Sequence, residues 1–184
     1  MKKIDINKVP VTTFILFLIC VIITTALAFT NHITKPRIAA LQEKTQQEAM
    51  AAILPAGEYI PVEIPSSTQG MCYIAKNDGK AVGYIATAVV KGYGGEVEVM
   101  VGVDNENNIT AVKILSASDE TPGLGMNITK EAYYGQYSGK KTDFKDSEIT
   151  AVTGATISST AAKNAVKEAL LIIENAKLKY GEVK

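Results

Sequence analysis

Residues 11–31 carry no charge and are dominated by Ile, Leu, Phe, Val and Ala. About 20 apolar residues in succession are enough to cross a bilayer core of ~30 Å as a helix. The run is therefore either a retained anchor or a signal peptide. Lys2, Lys3 and Lys8 in residues 1–10 and the small-x-small sequence Ala26-Leu27-Ala28 have the form of a signal and its cleavage site. The apolar run exceeds the usual signal core of ~7–15 residues, so retention as a transmembrane anchor is expected. Basic residues flank both ends, with Lys35, Arg37 and Lys44 following, so the positive-inside rule leaves orientation open. A signal-like start makes export of the C-terminal part the default.

Charge and cysteine usage exclude several function classes. Beyond residue 10, three lysines and one aspartate are gone from totals of 19 basic and 19 acidic, leaving 16 against 18. A nucleic-acid partner demands a basic stripe, and none is expected here. Cys20 lies in the apolar run and Cys72 stands alone, so no disulfide framework is suggested. Ile19 occupies the place where a lipoprotein signal wants a small residue. With His32 the sole histidine, no Cys or His cluster is available for zinc, haem or an iron–sulfur centre, and no metal ligands are assigned. A redox role would need an organic cofactor.

The chain divides into a basic start (1–10), the anchor (11–31), a connecting helix (32–56) and one domain (57–184). Residues 35–54 place Ile38, Leu41, Met50 and Ile53 among good helix formers and end before Pro55. Residues 57–70, with Pro61 and Pro65, read as irregular or edge structure. Residues 71–75 and 81–90 are β-rich runs joined by Asn77-Asp78-Gly79-Lys80, a strong hairpin signal. Residues 96–103 and 109–115 predict a second hairpin. A final helix over about 158–179 carries Ala162, Val166, Ala169, Leu170 and Ile173 on one stripe. The predicted class is α+β: an antiparallel sheet of four or more strands packed with helices, preceded by one transmembrane helix.

Three segments interrupt this regularity. Residues 152–159 read Val-Thr-Gly-Ala-Thr-Ile-Ser-Ser, placing the Thr156 hydroxyl at a glycine-relieved elbow that opens onto a helix N-terminus. Unpaired N–H groups and the positive end of the macrodipole would stabilise a phosphate there. Taken alone, Gly154 and Ala155 equally suit a plain tight turn, and Ser158 or Ser159 a plain helix cap. Lys91-Gly92-Tyr93-Gly94-Gly95 sets glycines around one aromatic ring, which would let backbone approach a flat ligand; a flexible strand connection is the simpler alternative. Asp119-Glu120-Thr121-Pro122-Gly123-Leu124-Gly125 places Pro-Gly at the centre of a type II turn. Each is ordinary by itself, and their co-occurrence points to a ligand.

The single anchor, Gly92-Tyr93-Gly94-Gly95, residues 99–104, Glu120-Thr121-Pro122-Gly123-Leu124-Gly125 and Gly154-Ala155-Thr156-Ile157-Ser158-Ser159 occur in an order that resembles a known family over essentially the whole chain. That family is the covalent-FMN-binding domain of the G subunit of Rnf-type electron-transport complexes and the related C subunit of sodium-translocating NADH:quinone oxidoreductase. The resemblance implies that the Thr156 hydroxyl is esterified to the phosphate of FMN by a separate, magnesium-dependent flavin transferase using FAD. Thr153 is the rival hydroxyl, and the family pattern selects Thr156. Gly154 and Ala155 would form the elbow, with Ser158 and Ser159 bonding phosphate or capping the helix. Glu120, Thr121, Pro122, Gly123, Leu124 and Gly125 are expected beside the ring system, with Tyr93, Gly94 and Gly95 as further neighbours. Tyr133-Tyr134 resembles the family's aromatic helix and Tyr137-Ser138-Gly139-Lys140 its following aromatic-x-Gly-Lys element, with tyrosine where phenylalanine or tryptophan is common, which leaves ring stacking open. Lys140 would offset flavin or phosphate charge, or else be an ordinary solvated lysine.

The function implied by the resemblance is electron transfer through covalent FMN by a membrane-anchored subunit of an Rnf-type ferredoxin:NAD⁺ oxidoreductase complex that translocates sodium ions or protons. Expected partners are the other membrane and iron–sulfur subunits, the flavin transferase and the lipid bilayer, with the soluble domain extracytoplasmic. The chain has no Gly-x-Gly-x-x-Gly dinucleotide fingerprint and no self-sufficient catalytic constellation, which suits an electron-transfer component. The alternatives are the equivalent subunit of the quinone-reducing pump, a non-redox membrane-tethered flavin-binding or assembly module, and a stand-alone extracytoplasmic flavin carrier.

Overall fold

A computed structural model describes residues 9–64 and 70–180. The basic start with Lys2, Lys3 and Lys8, and Pro65 of the irregular stretch, lie outside the described residues. Helix α1 spans Val9–Ile53 without interruption, with Pro36 inside it. It stops ahead of Pro55, whose ring disfavours the helical conformation in the residue before it. Phe14, Leu16, Phe17, Ile22, Leu27 and Phe29 are all exposed, distributing apolar surface around the helix. An apolar surface on every side needs lipid or protein around it. The Thr25 and Thr30 hydroxyls donate to the carbonyls of Val21 (2.7 Å) and Ala26 (2.9 Å), satisfying these polar atoms inside the helix. Among the described residues, this helix is long and apolar enough to cross a membrane.

A compact unit begins at Thr45, so the end of the connecting helix belongs to the domain core. Five strands form one antiparallel sheet in chain order: β1 (Glu58–Val62), β2 (Cys72–Asn77), β3 (Lys80–Lys91), β4 (Glu96–Asp104) and β5 (Ile109–Ser116). The β2–β3 turn has positive φ at both Asp78 (50°) and Gly79 (78°), as a type I′ hairpin requires. The proline-containing stretch supplies β1 at the sheet edge, where Pro61 pairs opposite Tyr73.

Both faces of the sheet are covered. After β5 the chain passes through short turns and α2 (Glu131–Tyr134) into α3 (Thr156–Tyr180). Along β4, Val97, Val99, Val101 and Val103 join the core under α3, while Met100 points to the opposite face. Helix α3 presents Ala161, Ala162, Ala165, Val166 and Ala169, small side chains that let it lie close to the sheet. On the opposite face Ala49, Met50, Ile53 and Leu54 pack with Ala75, Ile85 and Met100. Gly83 and Gly102 make their seat: a Cβ on Gly83 would stand 2.9 Å from Leu54 Cδ2, and one on Gly102 would collide with Ile53 Cγ2.

The tyrosines considered for ring stacking are core residues. Tyr133 and Tyr137 are buried edge-to-face with centroids 6.2 Å apart, and Tyr137 meets Phe144 at 5.4 Å. Burial pushes both phenols above their ordinary values.

Candidate functional site

The chain enters α3 through Val152-Thr153-Gly154-Ala155. The Ala155 N–H donates to the Val152 carbonyl (3.0 Å), and Gly154 takes φ +79°, a left-handed conformation suited to glycine. Helix α3 starts at Thr156, two residues earlier than the sequence pattern predicts. Its first α-type bond runs from the Ser159 N–H to the Ala155 carbonyl (2.9 Å). The amides of Thr156, Ile157 and Ser158 thus belong to the first turn, where donors lack intrahelical partners.

This early start corrects the roles expected of the serines. Within the helix, Ser158 and Ser159 turn inward and are buried, so neither is its cap. The Ser158 hydroxyl donates to Glu120 Oε2 (2.6 Å), and its hydrogen is not available to a phosphate. The Ser159 hydroxyl accepts from the Val152 N–H (2.9 Å), bracing the elbow from within. Any phosphate at this terminus would meet backbone N–H groups instead.

The second segment is the predicted turn: the Leu124 N–H donates to the Thr121 carbonyl (3.2 Å) with Gly123 at φ +77°. The third is the β3–β4 loop, closed by the Gly92 N–H on the Gly95 carbonyl (2.7 Å). Glu120 joins all three. It is only 1% exposed, and its Oε1 accepts from the N–H groups of Tyr93 (2.7 Å) and Gly94 (3.4 Å) while Oε2 accepts from Ser158. Three donors and no acceptor suit an ionised carboxylate.

The loop glycines follow from that packing. A Cβ at Gly92 would collide with Glu120 Oε1, one at Gly94 with the Asp119 carbonyl, and one at Gly95 with the Asp119 side chain. One at Gly125 would stand 2.6 Å from Glu120 Oε2. The close approach at these glycines is toward Asp119 and Glu120, and Glu120 is buried.

Above Glu120 lies a cleft of about 530 Å³ lined by Tyr93, Thr121, Leu124, Gly125, Gly154, Ala155, Thr156, Ile157 and Ser158. Its apolar side chains are exposed: Tyr93 by 67%, Ile157 by 58% and Leu124 by 46%. Ile157 was missed in the sequence, although its place beside Thr156 on the first turn was the available signal. Gly94, Gly95, Glu120, Pro122, Gly123, Ser159 and the rival Thr153 do not line the cleft. Lys140 does not either; its ammonium binds Glu148 at 2.8 Å, a hydrogen bond that holds the Glu148 carboxyl below the usual range. A cleft of about 590 Å³ further along α3, beside Lys167, Leu171 and Leu178, is larger but lies toward the C-terminal end of the helix and includes none of the three segments.

A phosphorylated flavin fits the first cleft chemically. The exposed Thr156 residue has a hydroxyl that could take a phosphate, the first-turn amides could donate to one, and Tyr93, Leu124 and Ile157 offer apolar surface to a flat ring.

Residues 92–171 match the FMN-binding domain, and residues 1–53 match the RnfG N-terminal region. The chain is 34% identical over 178 residues to the G subunit of the proton-translocating ferredoxin:NAD(+) oxidoreductase complex of Clostridium ljungdahlii, spanning 92% of this chain and 94% of that protein. It is 33% identical over 199 residues to the G subunit of the Na(+)-translocating ferredoxin:NAD(+) oxidoreductase complex of Acetobacterium woodii, spanning 94% and 95% respectively. The crystal structure of NqrC from Shewanella oneidensis shares the fold, with a TM-score of 0.50 at 18% identity over 66% of this chain and 70% of that one. With all three cleft segments inside the matched domain and relatives aligned almost end to end, the chain belongs to the Rnf-complex G-subunit family.

Proposed function

We propose that this chain is a membrane-anchored flavoprotein subunit that carries electrons through FMN esterified to Thr156, within an Rnf-type ferredoxin:NAD⁺ oxidoreductase complex. The observation that carries the reading is the placement of Thr156: an exposed hydroxyl on the first residue of α3, in a cleft whose lining comes from the matched FMN-binding domain. Thr153, three residues earlier, lies outside that lining, which favours Thr156 as the acceptor.

In maturation, the Thr156 oxygen bonds to the flavin-side phosphorus of FAD, AMP leaves with the electrons of the broken phosphoanhydride bond, and the hydroxyl proton passes to solvent. A separate flavin transferase performs this step. The bound FMN supplies the capacity to take up and pass on one or two electrons. The chain's own residues hold it. The ester prevents loss of the cofactor, the α3 amides and macrodipole offset the remaining phosphate charge, and Tyr93, Leu124 and Ile157 shield the ring from water. Residues 11–31 anchor the protein beside the other membrane and iron–sulfur subunits, with the domain outside the cytoplasm. Protease protection of the domain in intact cells would overturn that orientation. The named relatives include one proton-translocating and one sodium-translocating complex, so the proposed function covers either ion.

Peptide mass spectrometry on protein from its native membrane tests the ester. The Thr156 peptide should carry the mass of FMN less one water, and Thr156→Val should abolish it. An unmodified Thr156 in a host with demonstrated transferase activity would instead make the chain a membrane-tethered module without covalent cofactor.

A further inference from the structure

The buried Glu120 carboxylate has no place in the electron-transfer reading, yet it touches every segment that builds the cleft. Its two oxygens receive the Tyr93 N–H at 2.7 Å and the Ser158 hydroxyl at 2.6 Å, so one side chain bridges the β3–β4 loop and the first turn of α3. Those two partners, with Gly125, line the cleft directly. A Cβ at Gly125 would meet both Glu120 Oε2, at 2.6 Å, and Ser158 Oγ, at 2.8 Å, so the carboxylate sits one residue below the cleft surface. The Tyr93 side chain is itself 67% exposed, so its position depends on how its backbone is held.

We propose that Glu120 is a positioning residue for the cofactor. Its carboxylate fixes the Tyr93 loop against the helix turn bearing Thr156, and its negative charge beneath the cleft lowers the midpoint potential of the flavin held above it. The inference rests on the flavin reading. Reduction of the ring by two electrons with uptake of one proton from solvent leaves a net negative charge on it, and a fixed anion within a buried setting opposes that addition more strongly than it would in water. The α3 macrodipole acts in the opposite sense at the phosphate end, so ring and phosphate experience different fields.

Glu120→Gln and Glu120→Ala separate the two effects. In the glutamine variant the amide oxygen can still accept from Tyr93 and Gly94, while its NH₂ donates to Ser158 Oγ after the hydroxyl rotates. Geometry is kept and charge is lost. In the alanine variant both are lost.

The test uses the full chain, coexpressed with flavin transferase and purified in non-ionic detergent. Spectroelectrochemical titration with dithionite should show a more positive midpoint potential for Glu120→Gln than for wild type, with equal covalent flavin. Hydrogen exchange read on the peptide containing Tyr93 and Gly94 should be about tenfold faster or more in Glu120→Ala, and near wild type in Glu120→Gln, with β3 and β4 protected throughout. Equal potentials in wild type and Glu120→Gln, or an unprotected Tyr93 amide in wild type, would overturn the proposal. If Glu120→Ala does not fold, the wild-type and Glu120→Gln measurements still decide it. Absence of flavin from wild type would sink the flavin reading and the potential effect with it, while amide exchange would still report on the clamp.

Discussion

Where α1 seats on the sheet at Gly102, the cost of adding a side chain should depend on a neighbouring residue. A Cβ on Gly102 would collide with Ile53 Cγ2 and stand 2.6 Å from Thr110 Oγ1. Overpacking of this kind costs about 1–3 kcal/mol, and alanine in place of a strand glycine returns about 0.5–1 kcal/mol of backbone entropy. Gly102→Ala should therefore destabilise the chain by up to about 2.5 kcal/mol. Complete undocking of Met50, Ile53 and Leu54 would cost about 1.5–3 kcal/mol for each large side chain, so a local shift is the cheaper relief. Ile53→Ala alone removes a side chain that is 4% exposed and should cost about 2–5 kcal/mol. In that background the Ile53 methyl is gone while Thr110 Oγ1 still stands 2.6 Å from the new Cβ, so Gly102→Ala should cost less than in wild type but keep the hydroxyl's share of the penalty. Urea unfolding of the full chain in non-ionic detergent, followed by tyrosine near-ultraviolet circular dichroism, reads the cycle. An equal effect of Gly102→Ala in both backgrounds would show that Ile53 is not what the missing side chain makes room for.

Three further outcomes follow from individual sites. In a Cys20→Ser background, maleimide should label the buried Cys72 only after unfolding. Because burial pushes the Cys72 thiol up to about 12, ionisation of the unfolded thiol from about pH 8.5 upward should lower stability by as much as ~1.4 kcal/mol per pH unit. Thiol labelling of the native chain at neutral pH, or a flat stability profile between pH 8.5 and 10, would contradict this. Asp146 is held below its ordinary value chiefly by a hydrogen bond from Lys167, so that stabilisation is present at neutral pH and lost as pH falls through the folded-state value. Lys167→Met should thus be less stable than wild type at pH 7, with the difference vanishing in acid; a difference that persists in acid would point to lost packing. Gly154→Ala forces a side chain into a left-handed conformation at about 1–2 kcal/mol and brings its Cβ within 3.2 Å of Leu124 Cδ2. Covalent flavin on Thr156 should fall sharply while the sheet stays folded, and full flavin loading would show that the elbow tolerates the change.

The strands were legible because their signals are local. Asn77-Asp78-Gly79-Lys80 encodes its own turn, and residues 96–103 pass from acidic–apolar alternation into an apolar run where both faces of the strand are buried. The edge strand at residues 58–62 was obscured by Pro61, which is acceptable there because an edge need not use every N–H. The start of α3 was misplaced for a related reason. Serine before an apolar stripe is a strong capping signal, but Ser158 finds a better acceptor in Glu120, 38 residues away. Released from capping, it sits inside a helix that begins at Thr156.

The same distance dependence separates the hydroxyl from its cleft. Gly154 and the Val152–Ala155 turn suffice to put Thr156 at a helix N-terminus, and both are visible in a six-residue window. The opposing wall is not, since Tyr93 is held there through a carboxylate 27 residues further along the chain. Glycine reports that something approaches closely without saying what. At residues 92, 94, 95 and 125 the nearest approaching atom belongs to Asp119 or Glu120, so the glycine pattern and the buried acid are one feature read from two places. A chain that kept the threonine elbow and lost Glu120 would therefore retain an acceptor hydroxyl, while the loop opposite it would lack the anchor that makes a cleft.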